Sequence, residues 1–299
     1  MQQSELMGPL RLAHYPFVHR WRNQVHLKEV TGLQGFSMPS GLVAISEYIP
    51  KREGMIVRVD MSDYLIDYYL HRKDVAPDTL PEHDAKLKEL IACFAIHLSA
   101  RTGRETHAWT VHIVADTPYS LFVTGNTGEV NEAGIAKGYI VGHILTDHIR
   151  HTDVNSIHAQ FSSRGQAFTS MVRCDTSDIP KMVEQFYNQS EQHPLRLKLS
   201  DTSDTAIGLV GLPEFDEEWI NSIDIEEAAT SSEIHRSPMR SCEFAFSCDC
   251  SPDKLIPFFS SLSRASLEEL YGEDEELQIS CPRCGRQFGI KRADFTPEQ

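Results

Sequence analysis

The chain has 299 residues, 40% of them hydrophobic, with 28 Lys/Arg against 43 Asp/Glu and a formal net charge of −15. That length suits one mid-sized domain plus a small one. The apolar content is enough for a packed core and excludes wholesale disorder, and the acidic balance excludes a phosphate backbone as the main partner. No run of eighteen apolar residues and no signal-peptide pattern occurs, so the expectation is a soluble, cytoplasmic protein that binds neither membrane nor nucleic acid.

Residues 1–50 read as an N-terminal extension. They carry an aromatic and basic stretch (Tyr15, Phe17, Arg20, Trp21, Arg22, His26, Lys28), then Gly32, Gly35, Pro39 and Gly41. With no recognition motif beside it, the stretch reads as packing onto the next domain rather than as a nucleic-acid surface. Residues 51–212 read as an α+β core domain with a mixed sheet and packed helices. Met55 to Met61 is a strand, and Ser62 caps a short helix with Tyr64, Leu65, Tyr68 and Tyr69. Pro81 to Ser99 is a helix whose Leu87, Leu90, Ile91, Phe94, Ala95 and Leu98 share one buried face. Trp109, Val111 and Ile113 alternate as a half-buried strand does. Leu121 to Thr124 reads as a strand closed by a turn at Gly125-Asn126-Thr127-Gly128. Strands follow at Tyr139 to Leu145 and near Phe168 to Val172. Ser177 or Asp178 then opens a helix with Pro180 in its first turn, and strands follow at Leu195 to Leu199 and Ile207 to Leu212. Strands and helices that do not alternate regularly argue for α+β over a doubly wound sheet.

Residues 213–241 read as an acidic linker. From 201 to 235 there are ten Asp/Glu and no Lys or Arg, with a short helix near Trp219, Ile223 and Ile225. Residues 242–299 read as a zinc-binding domain.

Five of the seven cysteines fall in those last 58 residues. Cys248-Asp-Cys250 is followed by thirty residues and then Cys281-Pro-Arg-Cys284, with Gly285 completing a knuckle-like turn. Two close pairs brought together by a fold satisfy a tetrahedral four-thiolate Zn²⁺ site, and so small a terminal piece needs such a staple. A glutaredoxin-like Cys-Pro-x-Cys is excluded, because fifteen residues after Cys284 cannot form the required βαβ unit. A structural zinc ribbon without a redox role fits the spacing as well. Cys93, Cys174 and Cys242 are read as non-ligands. A second polar group, His143, Asp147, His148, His151, Asp153 and His158, lacks metal-ligand spacing and reads as a strand end and loop. No phosphate loop, nucleophile elbow or dinucleotide fingerprint occurs, so no catalytic residue is assigned and the chain is read as a non-enzyme.

Three passages give a resemblance. The first runs from Phe246-Ser-Cys248-Asp-Cys250-Ser251 through Leu267-Glu-Glu-Leu270-Tyr to Ile279-Ser-Cys281-Pro-Arg-Cys284-Gly-Arg-Gln-Phe288. The second is Phe186-Tyr187-Asn-Gln-Ser190-Glu191-Gln192-His-Pro194. The third is Asp116-Thr-Pro-Tyr-Ser-Leu-Phe-Val-Thr-Gly-Asn126 with Ala136-Lys137-Gly138-Tyr139. Together they resemble the heat shock protein 33 family of redox-regulated holdase chaperones. The resemblance implies an α+β core, a linker and a zinc-binding C-terminal domain. It implies that Cys248, Cys250, Cys281 and Cys284 hold Zn²⁺ when reduced and form disulfides within each pair on oxidation. The linker then unfolds, and unfolding client proteins are bound without ATP in a stress response; a homodimer of the oxidised chain is an accompanying expectation. The sequence departs from the family pattern in its extra residues 1–50 and in a shorter interval from Pro213 to Cys248. The shorter interval keeps a second reading open: a non-enzymatic binding protein of the same fold with a permanently structural zinc domain.

Overall fold

The computed structural model describes residues 41–295 except 102, 104, 148, 150, 151, 164, 165, 260 and 261. The aromatic and basic stretch from Tyr15 to Lys28 therefore lies outside the described residues, as do His148 and His151.

The helical rhythm from Leu87 to Leu98 produces α2 (Pro81–Ala100), with α1 (Tyr64–Val75) before it. In α2 the six rhythmic residues are buried, and so are Ala92, Cys93, Ile96 and His97, because the sheet wraps more of the helix than one face. Helix α1 is longer than the short helix expected, and Asp63 rather than Ser62 precedes it. The Ser62 amide instead donates to the Asp60 carboxylate at 2.9 Å.

Ten strands form one sheet: β1 (Leu42–Ile49), β2 (Gly54–Asp60), β3 (Thr106–Ile113), β4 (Tyr119–Val130), β5 (Ile135–Leu145), β6 (Asn155–Ser163), β7 (Gln166–Cys174), β8 (Leu195–Leu199), β9 (Thr205–Gly211) and β10 (Ser237–Ala245). Their order is β7-β6-β3-β4-β5-β10-β1-β2-β9-β8. Every pairing is antiparallel except β10 with β5. The fold is α+β with a mixed sheet. Three strands of this sheet fall where none was expected. β6 occupies the stretch around His158 read as a loop, β1 lies in the stretch read as an extension and β10 follows the acidic stretch; β1 and β10 sit in the middle of the sheet.

The turn expected at Gly125–Gly128 is instead a bulge inside β4, where the register with β5 shifts between Asn126 and Glu129. Gly128 has φ +62°, and a Cβ there would lie 1.7 Å from the Lys137 carbonyl oxygen, so only glycine fits. The chain turns later, where Asn131 Oδ1 accepts from the amides of Ala133 and Ile135, both at 3.0 Å.

Helix α3 (Ile179–Phe186) is capped by Asp178, whose carboxylate accepts from the Lys181 amide at 3.0 Å. The Phe186–Gln192 passage continues as a π-turn (Tyr187–Glu191) and leaves through Gln192 at φ +60°. Tyr187 hydroxyl meets His97 Nδ1 at 2.9 Å, and His97 Nε2 meets His107 Nδ1 at 3.2 Å, which pairs the polar atoms of three side chains buried among Phe94, Trp109 and Phe186.

The acidic stretch forms α4 (Glu217–Ser222) and α5 (Ile225–Thr230), each capped by an aspartate, Asp216 and Asp224. Although the stretch itself has no Lys or Arg, its carboxylates find basic partners in the sheet domain: Asp216 pairs with Arg52, and Glu226 with Lys198 at 3.0 Å. Arg196 donates to the carbonyls of Ile220 (2.7 Å) and Ile223 (2.6 Å), and Arg58 donates to that of Ala229 (3.0 Å). These guanidinium groups satisfy the C-terminal carbonyls the helices leave open. Ile220, Ile225, Ala228 and Ala229 are buried beneath. The remaining chain forms α6 (Pro252–Phe259), α7 (Arg264–Tyr271) and a hairpin of β11 (Glu276–Ser280) and β12 (Gln287–Lys291). No helix among the described residues is long and apolar enough to cross a membrane.

Candidate metal centre

Two local structures deliver the cysteines. Cys248 and Cys250 sit on the extended segment between β10 and α6, where the single intervening Asp249 keeps the two side chains close. Cys281 and Cys284 sit in the turn of the β11–β12 hairpin. That turn is closed by the Gly285 amide on the Cys281 carbonyl and by the Cys281 amide on the Arg286 carbonyl, both at 2.8 Å. Gly285 has φ +77°, which a side chain rarely adopts.

The four sulfurs all lie within 4.8 Å of one another, with Cys248 to Cys281 at 3.8 Å and Cys250 to Cys284 at 3.6 Å. A four-cysteine cluster of this kind can bind a metal. Among the described residues it is the only group of three or more His, Cys, Asp or Glu so placed. Hydrogen bonds from Cys248 and then Cys284, with the amides of Arg283 and Cys284, hold the Cys281 thiol below its ordinary value. Cys281 and Cys284 are buried, whereas Cys248 and Cys250 are partly exposed. The last two are thus open to a small oxidant.

The pairs are also tied to each other. Asp249, between the first two cysteines, accepts from Arg283, between the second two, at 3.2 Å, and from Lys254 as well. Arg283 then lies 4.9 Å from the ring of Tyr139 on β5.

The hairpin docks on the sheet domain through contacts that no motif signals. His71 Nε2 on α1 meets the Cys284 carbonyl at 2.7 Å. The His143 ring fills the place where a Cβ on Gly285 would sit, 2.4 Å away. Phe246 packs edge-on against Tyr64 (5.6 Å) and Tyr68 (6.0 Å), and 5.0 Å from His71. His143, read from the sequence as part of a polar strand end, is therefore a docking residue. Asp147, Asp153 and His158 of that group join no metal cluster among the described residues, and His158 packs on His112 at 4.9 Å.

The other cysteines lie apart from the cluster. Cys93 is on α2, Cys174 ends β7 and Cys242 is in β10, all three buried. Burial raises each thiol, that of Cys174 to about 11, which makes them poor nucleophiles and poor ligands.

Comparison with known proteins gives one consistent picture. A family model described as Hsp33 protein matches residues 75–291. The 33 kDa chaperonin of Latilactobacillus sakei is 23% identical over 60% of this chain and 77% of its own length. That of Shewanella loihica is 21% identical over 81% of this chain and 89% of its own. The crystal structure of the 33 kDa chaperonin (Hsp33) from Thermotoga maritima superposes with a TM-score of 0.60 at 11% identity, covering 86% of this chain and 96% of that one. At that identity the structural likeness speaks for the fold alone.

Proposed function

Because this chain belongs to the Hsp33 family, we propose that it is a redox-regulated, ATP-independent holdase, a non-enzymatic chaperone that binds unfolding client proteins once its cysteine site is oxidised. The observation that carries the proposal is the cluster of four sulfurs at the junction between β10 and the hairpin, where its loss acts on both.

Zn²⁺ is the metal we assign, held by Cys248, Cys250, Cys281 and Cys284. Thiolates about 2.3 Å from a tetrahedral ion sit about 3.8 Å from each other, close to the 3.8 and 3.6 Å separations here. When bound, the ion supplies folding energy and keeps the thiolates deprotonated. Oxidation proceeds within each pair. The two thiolates of Cys248 and Cys250 give two electrons to a peroxide and form one S–S bond. The peroxide O–O bond breaks, and two protons complete two waters. Cys281 and Cys284 do the same. With no thiolates left, the site no longer holds the hairpin. The working division that goes with this is a core at 51–212, a linker at 213–241 and a zinc-binding part at 242–299, with β1 and β10 built into the core's sheet. A reducing cytoplasm suits the resting thiolate form, and homodimerisation of the oxidised chain belongs to the same proposal.

A second reading, a permanently structural metal domain, draws on the linker helices. They are held by Arg58, Arg196 and Arg52 and anchored at either end by strands β9 and β10. Peroxide treatment separates the two. The holdase reading predicts release of the bound zinc to a colorimetric chelator, with non-reducing peptide maps showing Cys248–Cys250 and Cys281–Cys284 links. Retention of the zinc under peroxide that leaves the chain otherwise intact would establish the structural reading instead.

A further inference from the structure

A strand bonded on both sides usually has an apolar sequence, and proline is confined to edges because it cannot donate to a ladder. Strand β10 breaks both habits. It reads Ser-Pro-Met-Arg-Ser-Cys-Glu-Phe-Ala and stands in the middle of ten strands. Only Cys242 and Phe244 of its side chains are fully buried, whereas β9 buries six of its seven residues. Pro238 falls where the register with β1 slips, and β5 pairs only with Ser241–Ala245, leaving the first half bonded on the β1 side alone. This is an edge strand's sequence in a central position.

Its attachments suit removal. Two residues, Phe246 and Ser247, join it to Cys248, so the metal centre holds the end that carries Phe244. On its other side, residues 231–236 are mostly polar. The blocks β7-β6-β3-β4-β5 and β1-β2-β9-β8 on its flanks are each continuous without it. Helix α2 packs against strands of both blocks, β4 and β5 on one side and β1, β2 and β9 on the other, and so holds them together from behind.

We propose that β10 is a removable strand, and that the slot it leaves between β1 and β5 takes up an extended segment of an unfolding polypeptide. The segment runs antiparallel to β1 and parallel to β5. It places one small and one large apolar side chain, two residues apart, where Cys242 and Phe244 were. Its recognition comes from main-chain hydrogen bonds on both sides, which tolerate many sequences, as a holdase requires. The inference rests on the holdase reading for the trigger: oxidation of the four thiolates frees Cys248 and the Phe246 anchor on Tyr64, Tyr68 and His71.

The test uses the full-length protein, reduced and zinc-loaded or peroxide-treated, with two independent readouts. The first is pulse alkylation by iodoacetamide, mapped residue by residue, counting any oxidised form of Cys242 as exposure. Cys242 is expected to react at least about tenfold faster after peroxide, as local opening requires, while Cys93 on α2 stays protected. The second is fluorescence polarisation of a labelled synthetic peptide of residues 237–245 with alanine at the cysteine position. It should bind the oxidised protein and not the reduced one, and a peptide with aspartate at both positions 242 and 244 should bind neither. Cys242 protected as well as Cys93 after peroxide overturns the slot. So does an oxidised dimer in which β10 of a second copy fills the slot and excludes the peptide. If the slot stays closed while the oxidised protein still keeps a heated client in solution, the slot falls and the holdase reading stands. If it opens and binds peptide while clients still aggregate, the slot stands and the holdase reading falls.

Discussion

Replacing Cys281 with serine is expected to remove most of the single equivalent of zinc from the purified, reduced protein, and with it the fold of the hairpin. Among the described residues from Phe246 onward, few apolar side chains are buried: Leu255, Tyr271, Ile290 and the two cysteines of the hairpin turn. Two of those five are proposed ligands. So small a core cannot hold a domain of this length alone, whereas a structural Zn²⁺ contributes roughly 10–16 kcal/mol of apparent binding energy that becomes folding energy. Metal analysis of Cys281→Ser should show the loss, and amide exchange in residues 276–291 should become fast. The Cys242→Ser protein, changed six residues before the first ligand, should keep its zinc. Full occupancy in Cys281→Ser, or loss in Cys242→Ser, would mean that the ligand set is wrong.

The second large effect lies in the sheet domain and in acid. Burial holds the His107 imidazole down at about 4, with Arg101 adding to the effect, and burial holds His97 well below its ordinary value. Both rings are neutral in the folded chain, and each satisfies the other or Tyr187. In the unfolded chain they protonate near 6.5. Between about 6.5 and 4 the unfolded state therefore takes up protons that the folded state refuses, so stability is complete above 6.5 and falls as the pH drops towards 4. For His107 alone the loss between pH 7.5 and pH 5 is about 2 kcal/mol. Urea unfolding at the two pH values measures it. A His107→Phe variant leaves His97 without one partner and is less stable throughout, but its loss between the two pH values should be smaller by about that amount. An unchanged pH dependence in the variant would show that His107 is not the titrating group.

The parts of this fold that sequence makes legible are those where one local rule acts alone. The rhythm of Leu87 to Leu98 and the alternation of Trp109, Val111 and Ile113 each follow from burial on one face, and both elements appear where that rule puts them. The four cysteines are legible because a metal needs several soft ligands close together, and two short pairs have few other uses. What escapes is decided by distant residues. β10 is central because β1 and β5 happen to flank it, while its own Pro238, Arg240 and Glu243 argue against a central strand. Gly125 and Gly128 look like a turn because glycine serves turns, bulges and close approaches alike, and only the nearness of β5 decides among them. His71 lies 213 residues from the carbonyl it meets, so the docking of the hairpin leaves no local trace. The acidic stretch misled for a similar reason, since Arg52, Arg58, Arg196 and Lys198, which hold it, all lie outside it.

The measurement that bears most directly on the whole account is light scattering from a thermally unfolding client enzyme, followed in the presence of this protein after reduction with zinc and after peroxide treatment. The reduced, zinc-loaded protein should leave aggregation unchanged. The oxidised protein should suppress it at near-stoichiometric amounts without ATP, and thiol reductant with zinc should reverse the effect. Equal suppression by both forms, or by neither, would contradict it.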